Sequence, residues 1–243
     1  MNIDYSIVIP AYNEAAYLPE TIASVRAAME GNALVGEIIV CNNNSTDSTA
    51  TLAEGLGTRV VFEPHNQISR ARNTGARHTA GRYLVFVDAD TRISAALLSE
   101  VLLRLETGRC CGGGSLVDVD EKVKPMVRRI LNGWSWLSIK LRLAAGCFVF
   151  CRRDYFEAVG GFSESVYASE EIWLSRAMGR LGKQRKQPFC IITDYPVISS
   201  GRKLRWFSVT RQWLLLVMLV FLPFLIRYRR FCDFWYKRPD GSA

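Results

Sequence analysis

Residues 6–14 read SIVIPAYNE, residues 37–47 EIIVCNNNSTD and residues 83–90 YLVFVDAD, and the three share one form: a short apolar run that breaks off into polar residues. Runs of this length, rich in Val, Ile or Phe, are strands. They predict strands at Ser6 to Ile9, Glu37 to Cys41 and Tyr83 to Val87, and Arg59 to Phe62 supplies another. Helical stretches lie between them. One opens at Pro19 and puts Ile22, Val25 and Met29 on one face, a second follows Ser45-Thr46-Asp47, and a third covers Ile68 to Ala80. Strand and helix in strict alternation predict an α/β fold, a Rossmann-like, mostly parallel sheet with right-handed crossovers and helices on its faces.

Ligands of such sheets sit beyond the carboxyl ends of the strands. PAYNE (Pro10 to Glu14), NNNSTD (Asn42 to Asp47) and DAD (Asp88 to Asp90) occupy three of those ends and converge on one crevice. Further on, the chain predicts a helix near Ser94 to Leu105 and a tight strand or turn at Cys110 to Ser115. An aromatic, basic segment follows at Lys122 to Leu143, and the last core helix runs from about Ser169 to Leu181, stopped by Gly182.

The composition is that of a globular protein: 243 residues, 49% hydrophobic and 22% charged. Seven cysteines with no CxxC pair read as reduced core thiols. Asp4 precedes the first short apolar run, which lacks the basic and long apolar regions of a secretory signal, so the expected location is cytoplasmic. The net charge of +8 suits nucleic acid, anionic lipid or a phosphorylated substrate. Its distribution favours lipid. Arg202, Lys203, Arg205, Arg211, Arg227, Arg229 and Arg230 surround the uncharged run Trp213 to Ile226, which is shorter than the ~20 residues a spanning helix needs. We therefore expect a catalytic domain at 1–203 and an apolar, basic tail at 204–243 lying on the inner face of a membrane, with no nucleic-acid partner. A core or dimer helix is the other reading of that run.

Single motifs are ambiguous. Asp88 and Asp90 follow a strand, and on an extended segment side chains two apart point the same way, which would present two hard oxygen ligands to Mg2+ or Mn2+. The same residues also suit a turn or a helix cap. NNNSTD is equally an Asx-rich turn, and Glu14 favours a helix N-terminus. Glu170 and Glu171 precede Leu174, Ala177, Met178 and Leu181 in helical register, so both lean toward the buried side; Ser169 as N-cap with two acids in the first turn is the plainer account. Ser200-Gly201-Arg202-Lys203 reads as a solvated basic turn, with a lid over a diphosphate as the alternative.

Taken in order, SIVIPAYNE, EIIVCNNNSTD, SRARNTGARHTAGRYLVFVDAD, RRDYFEAVGGF and SEEIWLSRAMGRLGK resemble the motif set of family 2 glycosyltransferases of the GT-A fold, across residues 5 to 182. The resemblance implies inverting transfer from a nucleoside-diphosphate sugar to an acceptor hydroxyl, on a lipid-linked or carbohydrate acceptor. It implies that Asp88 and Asp90 hold Mg2+ or Mn2+ against the donor diphosphate. Donor contacts carry over to Pro10, Ala11, Tyr12, Glu14, Asn42, Asn44, Arg72, Asp88 and Ala89. Glu171, with Glu170 in reserve, would take the acceptor proton. Many relatives carry Asp where this chain has Asn42, which adds donors and removes a charge. A nucleotidyltransferase would show a glycine-rich basic loop after the first strand, which PAYNE is not. A non-catalytic donor-binding module on the membrane would need neither the aspartates nor Glu171.

Overall fold

The computed structural model describes residues 3–120, 125–202, 223–232 and 236. Trp213 and most of the tail run therefore lie outside the described residues, as does Lys203. Four parallel strands come first: β1 (Tyr5–Ala11), β2 (Gly36–Asn42), β3 (Arg59–Phe62) and β4 (Tyr83–Val87). They are joined by helices α1 (Leu18–Met29), α2 (Thr49–Gly55) and α3 (Ile68–Arg77). The chain steps outward from β1 through β2 to β3 and returns to place β4 on the other side of β1, which opens a switch point at the strands' carboxyl ends.

The second half is mixed. β5 (Thr91–Arg92) precedes α4 (Ala95–Glu106), β6 (Gly112–Val119), α5 (Pro125–Leu141) and β7 (Phe148–Arg152). Then come α6 (Arg153–Ala158), α7 (Glu170–Gln184) and β8 (Phe189–Ser199), and the sheet order is β3-β2-β1-β4-β7-β6-β8-β5. β7 runs antiparallel to both β4 and β6, and β8 turns its far end against β5 beside the 88–90 turn.

β1 and β4 are buried along their whole length because both faces are covered. Ile7, Ile9, Val85 and Val87 face Ile22, Val25, Leu98 and Val101 of α1 and α4. Val8, Leu84 and Phe86 face the opposite layer, where Phe86 meets the rings of Phe156 and Phe162 at 5.4 and 4.9 Å. Each such large side chain contributes about 1.5–3 kcal/mol by leaving water. α3 lies close on β1 because Gly75 has no side chain; a Cβ there would stand 2.3 Å from Val8 Cγ1.

Two expectations are corrected. Gly182 does not stop the last core helix, which continues to Gln184; a Cβ at Gly182 would meet the Gln187 carbonyl at 2.2 Å, so glycine is there for close packing. Ser169 makes no capping bond, since its backbone is left-handed at φ 60° and its side chain accepts nothing from the helix. The seven cysteines are free thiols, and among the described residues no helix is long and apolar enough to cross a membrane.

Candidate active site

The loops after β1 and β2 form one stitched rim. Asn43 N–H donates to the Ala11 carbonyl at 2.8 Å, Asn13 N–H to Ser45 Oγ at 3.0 Å, Glu14 N–H to Thr49 Oγ1 at 2.8 Å and Ala15 N–H to Asp47 Oδ2 at 3.2 Å. Asn13 Oδ1 accepts from Thr46 N–H at 2.8 Å. Asn13 and Asn44 adopt left-handed backbone, φ 52° and 60°, which short amide side chains tolerate. Many of the polar residues of NNNSTD are thus spent holding the rim. Asn42 is buried and its side-chain amide Oδ1 accepts from Ser45 N–H at 3.0 Å, whereas Asn44 is exposed and its amide donates to Asn66 Oδ1 at 3.2 Å. Pro10 and Ala11 are buried in β1, and Tyr12 stands half-buried on the rim.

The 88–90 segment is a turn and not an extended strand end. Thr91 N–H donates to the Asp88 carbonyl at 3.0 Å, and buried Ala89 accepts from Thr21 Oγ1 at 2.9 Å. The strand rule that aims both aspartates one way therefore does not apply, and a different arginine meets each of them. Arg72, from α3 and 1% exposed, donates from Nη2 to Asp88 Oδ1 at 2.8 Å and to the Gly146 carbonyl at 2.6 Å. Its Nη1 donates to Glu170 Oε1, and its guanidinium lies 5.1 Å from the centre of the Phe162 ring. That ring is held in turn by Asn73, which pairs with both the Phe162 carbonyl and N–H at 2.9 and 3.0 Å. Burial alone would lower the Arg72 pKa, but Asp88 and Glu170 outweigh it and raise it, so the arginine stays charged.

Glu171 sits at the same place. Its Oε2 would stand 3.5 Å from a Cβ on Gly146, whose carbonyl binds Arg72. Burial, and next the Glu170 carboxylate, push the Glu171 carboxyl up to about 8, with Arg72 pulling the other way. Arg72 thus gathers Asp88, Glu170 and Gly146 around itself, with Glu171 alongside.

Of the two readings of Ser200 to Lys203, the solvated basic turn is wrong for Arg202. It is 2% exposed, and one nitrogen, Nη2, reaches Glu14 Oε1 at 2.5 Å and Asp90 Oδ2 at 2.9 Å. Its guanidinium also stacks 4.2 Å from the Tyr17 ring centre. The sequence suggests Arg202 for the site only through the lid alternative, and nothing local marks its pairing with Glu14, which is 188 positions away. The acidic positions of two predicted motifs were its signal, since buried carboxylates need a cation.

A sheet with its switch point at the carboxyl ends of β1 and β4, with an aspartate turn and the Glu170-Glu171 pair beside it, has the GT-A architecture. The chain resembles the solved glucosyl-3-phosphoglycerate synthase of Mycobacterium tuberculosis, in complex with Mn2+, uridine diphosphate and glucosyl-3-phosphoglycerate: TM-score 0.66, 20% identity, 93% of this chain and 80% of that one covered. Residues 6–160 match the model of glycosyl transferase family 2, and the chain belongs to that family. Curated relatives include the minor teichoic acid biosynthesis protein GgaB of Bacillus subtilis, 30% identical over 42% of this chain and 12% of that protein. The succinoglycan biosynthesis protein ExoM of Rhizobium meliloti is 27% identical over 59% of this chain. The match spans 50% of ExoM, so this chain corresponds to half or less of either relative.

Proposed function

We propose that this chain transfers a sugar from a nucleoside-diphosphate sugar to an acceptor hydroxyl with inversion, and that the acceptor is a lipid-linked or polysaccharide precursor. The observation that carries the reading is the gathering of Asp88, Glu170 and Glu171 around buried Arg72 at the carboxyl end of β4, beside the PAYNE and NNNSTD loops. Family membership and the Mn2+ and uridine diphosphate in the solved neighbour support it.

The carboxylates of Asp88 and Asp90 are hard oxygen donors on one three-residue turn, the ligand type that Mg2+ or Mn2+ takes, and each now faces an arginine that such an ion would have to share it with. Donor phosphate oxygens would complete the shell of an ion held there. When bound, such an ion supplies Lewis-acid neutralisation of the leaving diphosphate. Arg72 positions Asp88 and Glu170 from below. Glu170 is committed to Arg72, which leaves Glu171 to take the acceptor proton. Its raised pKa suits a base working near neutral pH. The acceptor oxygen then bonds to the anomeric carbon as the bond from that carbon to the diphosphate oxygen breaks on the opposite face. The rim offers Tyr12 for stacking on the base and the Asn42 amide for its polar edge.

Helix α5 supports a lipid acceptor and a peripheral membrane position. It exposes Met126, Trp136, Ile139 and Leu141 beside Arg128, Arg129 and Lys140, and it leads within a few residues to Gly146. Sedimentation with anionic vesicles tests this: Trp136→Ser with Ile139→Ser should cut binding, and equal binding removes the membrane from the proposal. The activity is tested by thermal stabilisation with UDP-, GDP- and dTDP-sugars, with and without Mn2+. One donor should stand out only with the ion, and Asp88→Asn with Asp90→Asn should abolish that difference. A metal-dependent shift that survives both substitutions overturns the assignment.

A further inference from the structure

β8 ends at Ser199, paired with Thr91, and the chain is then tied down at each step: Ser200 N–H donates to the Asp90 carbonyl at 3.0 Å and Gly201 N–H to Asp120 Oδ1 at 3.1 Å. That path delivers Arg202 between Glu14 of the first loop and Asp90 of the third, at 2.5 and 2.9 Å. Its positive charge stands where one reads a divalent ion to act. The side chain is buried, so it is not one of the weak ion pairs of a wet surface.

We propose that Arg202 is a built-in counter-cation of the Asp90 and Glu14 carboxylates that competes with the divalent ion, so that the ion is held with the nucleoside diphosphate and not ahead of it. This rests on Asp90 being an ion ligand, the reading given above. A guanidinium and a divalent ion cannot both sit against Asp90 without strong mutual repulsion in a poorly solvated site. A diphosphate brings the negative charge that lets both stay, because phosphate oxygens accept from arginine and ligate the ion together. Without nucleotide, Arg202 neutralises the partly buried Glu14 and Asp90 carboxylates, whose unpaired charges would otherwise destabilise the fold. The rim loop, the aspartate turn and the end of β8 are thereby kept in register until the donor arrives.

The test is Mn2+ titration of the full chain, followed by the spectroscopic signal of free Mn2+, alone and with uridine or guanosine diphosphate. The unaltered protein should bind Mn2+ at least tenfold tighter with one of the nucleotides than without. Arg202→Met should bind Mn2+ without nucleotide at least tenfold tighter than the unaltered protein, and Arg202→Lys should stay near it. Arg202→Gln keeps a donor for Asp90 without the charge and serves if Arg202→Met does not fold; it should show the same tightening. In melting experiments Mn2+ alone should raise the Tm of the uncharged variants more than that of the unaltered protein. If the unaltered protein keeps nucleotide-dependent Mn2+ binding while Arg202→Met and Arg202→Gln bind Mn2+ alone no tighter, the competition is refuted and the ion assignment survives. If neither nucleotide brings any Mn2+ binding, the ion assignment fails and the competition with it.

Discussion

Arg72 and Arg202 each neutralise one aspartate of the same three-residue turn, yet they are held in different ways. Arg72 projects from the middle of α3, itself pressed onto β1 at Gly75, and is fixed by Asp88, Glu170, the Gly146 carbonyl and the Phe162 ring. Arg202 stands just past the end of the last strand and meets Asp90 and Glu14 through a single nitrogen. One cation is part of the floor of the site; the other is delivered to its rim. The contrast teaches that a charge pair gains permanence from the element that carries it as much as from its distances. A helix in the core restrains its arginine along ten residues, whereas the strand-end segment that carries Arg202 is held by bonds at the rim itself, from Ser200 N–H to the Asp90 carbonyl and from Gly201 N–H to Asp120.

The comparison breaks most sharply at the floor, where Glu171→Gln should lower kcat by ~10²–10⁴-fold while donor-induced thermal stabilisation is kept. Normal turnover in that variant would move the base elsewhere. Arg72→Met should come next, costing about 3–5 kcal/mol in denaturant unfolding because it strands buried Glu170 and half-buried Asp88 together. A cost under about 1 kcal/mol would mean the floor does not depend on this arginine. Arg202→Met should destabilise the nucleotide-free protein by less, about 1–3 kcal/mol, and Mn2+ with nucleotide should restore much of it. A loss as large as that of Arg72→Met, and not restored, would erase the distinction between floor and rim.

The smallest effect is on pH. The Glu171 value in the folded state, about 8, lies above its ordinary 4.5, so the native protein holds this proton more tightly than the unfolded chain. Stability from that group is full below about pH 4.5 and is lost as pH rises toward about 8. The free enzyme's kcat/KM should rise with pH through the same upper value, and the rise should persist in Glu171→Asp but vanish from the residual activity of Glu171→Gln. A profile flat from pH 6 to 9 in the unaltered protein would separate Glu171 from proton transfer.

Much of the architecture was legible in residues 5–87: burial of β1 and β4 on both faces demands an unbroken apolar run, and the runs of β1, β2 and β4 ended where the chain had to turn polar. β8 was not read, since FCIITDYPVIS mixes buried and exposed positions without a regular period. Gly182 was misread as a stop because only the later approach of Gln187 reveals why it is glycine.

The order of motifs along the chain was enough to establish the fold, the family and the positions where acidic and amide residues collect, because local composition decides which segments are strands and where they end. Tertiary structure alone decided which charges face each other. Arg72 and Glu170 are 98 positions apart and Arg202 and Glu14 are 188 apart, and a buried guanidinium selects its carboxylates by position in space, of which linear spacing carries no trace.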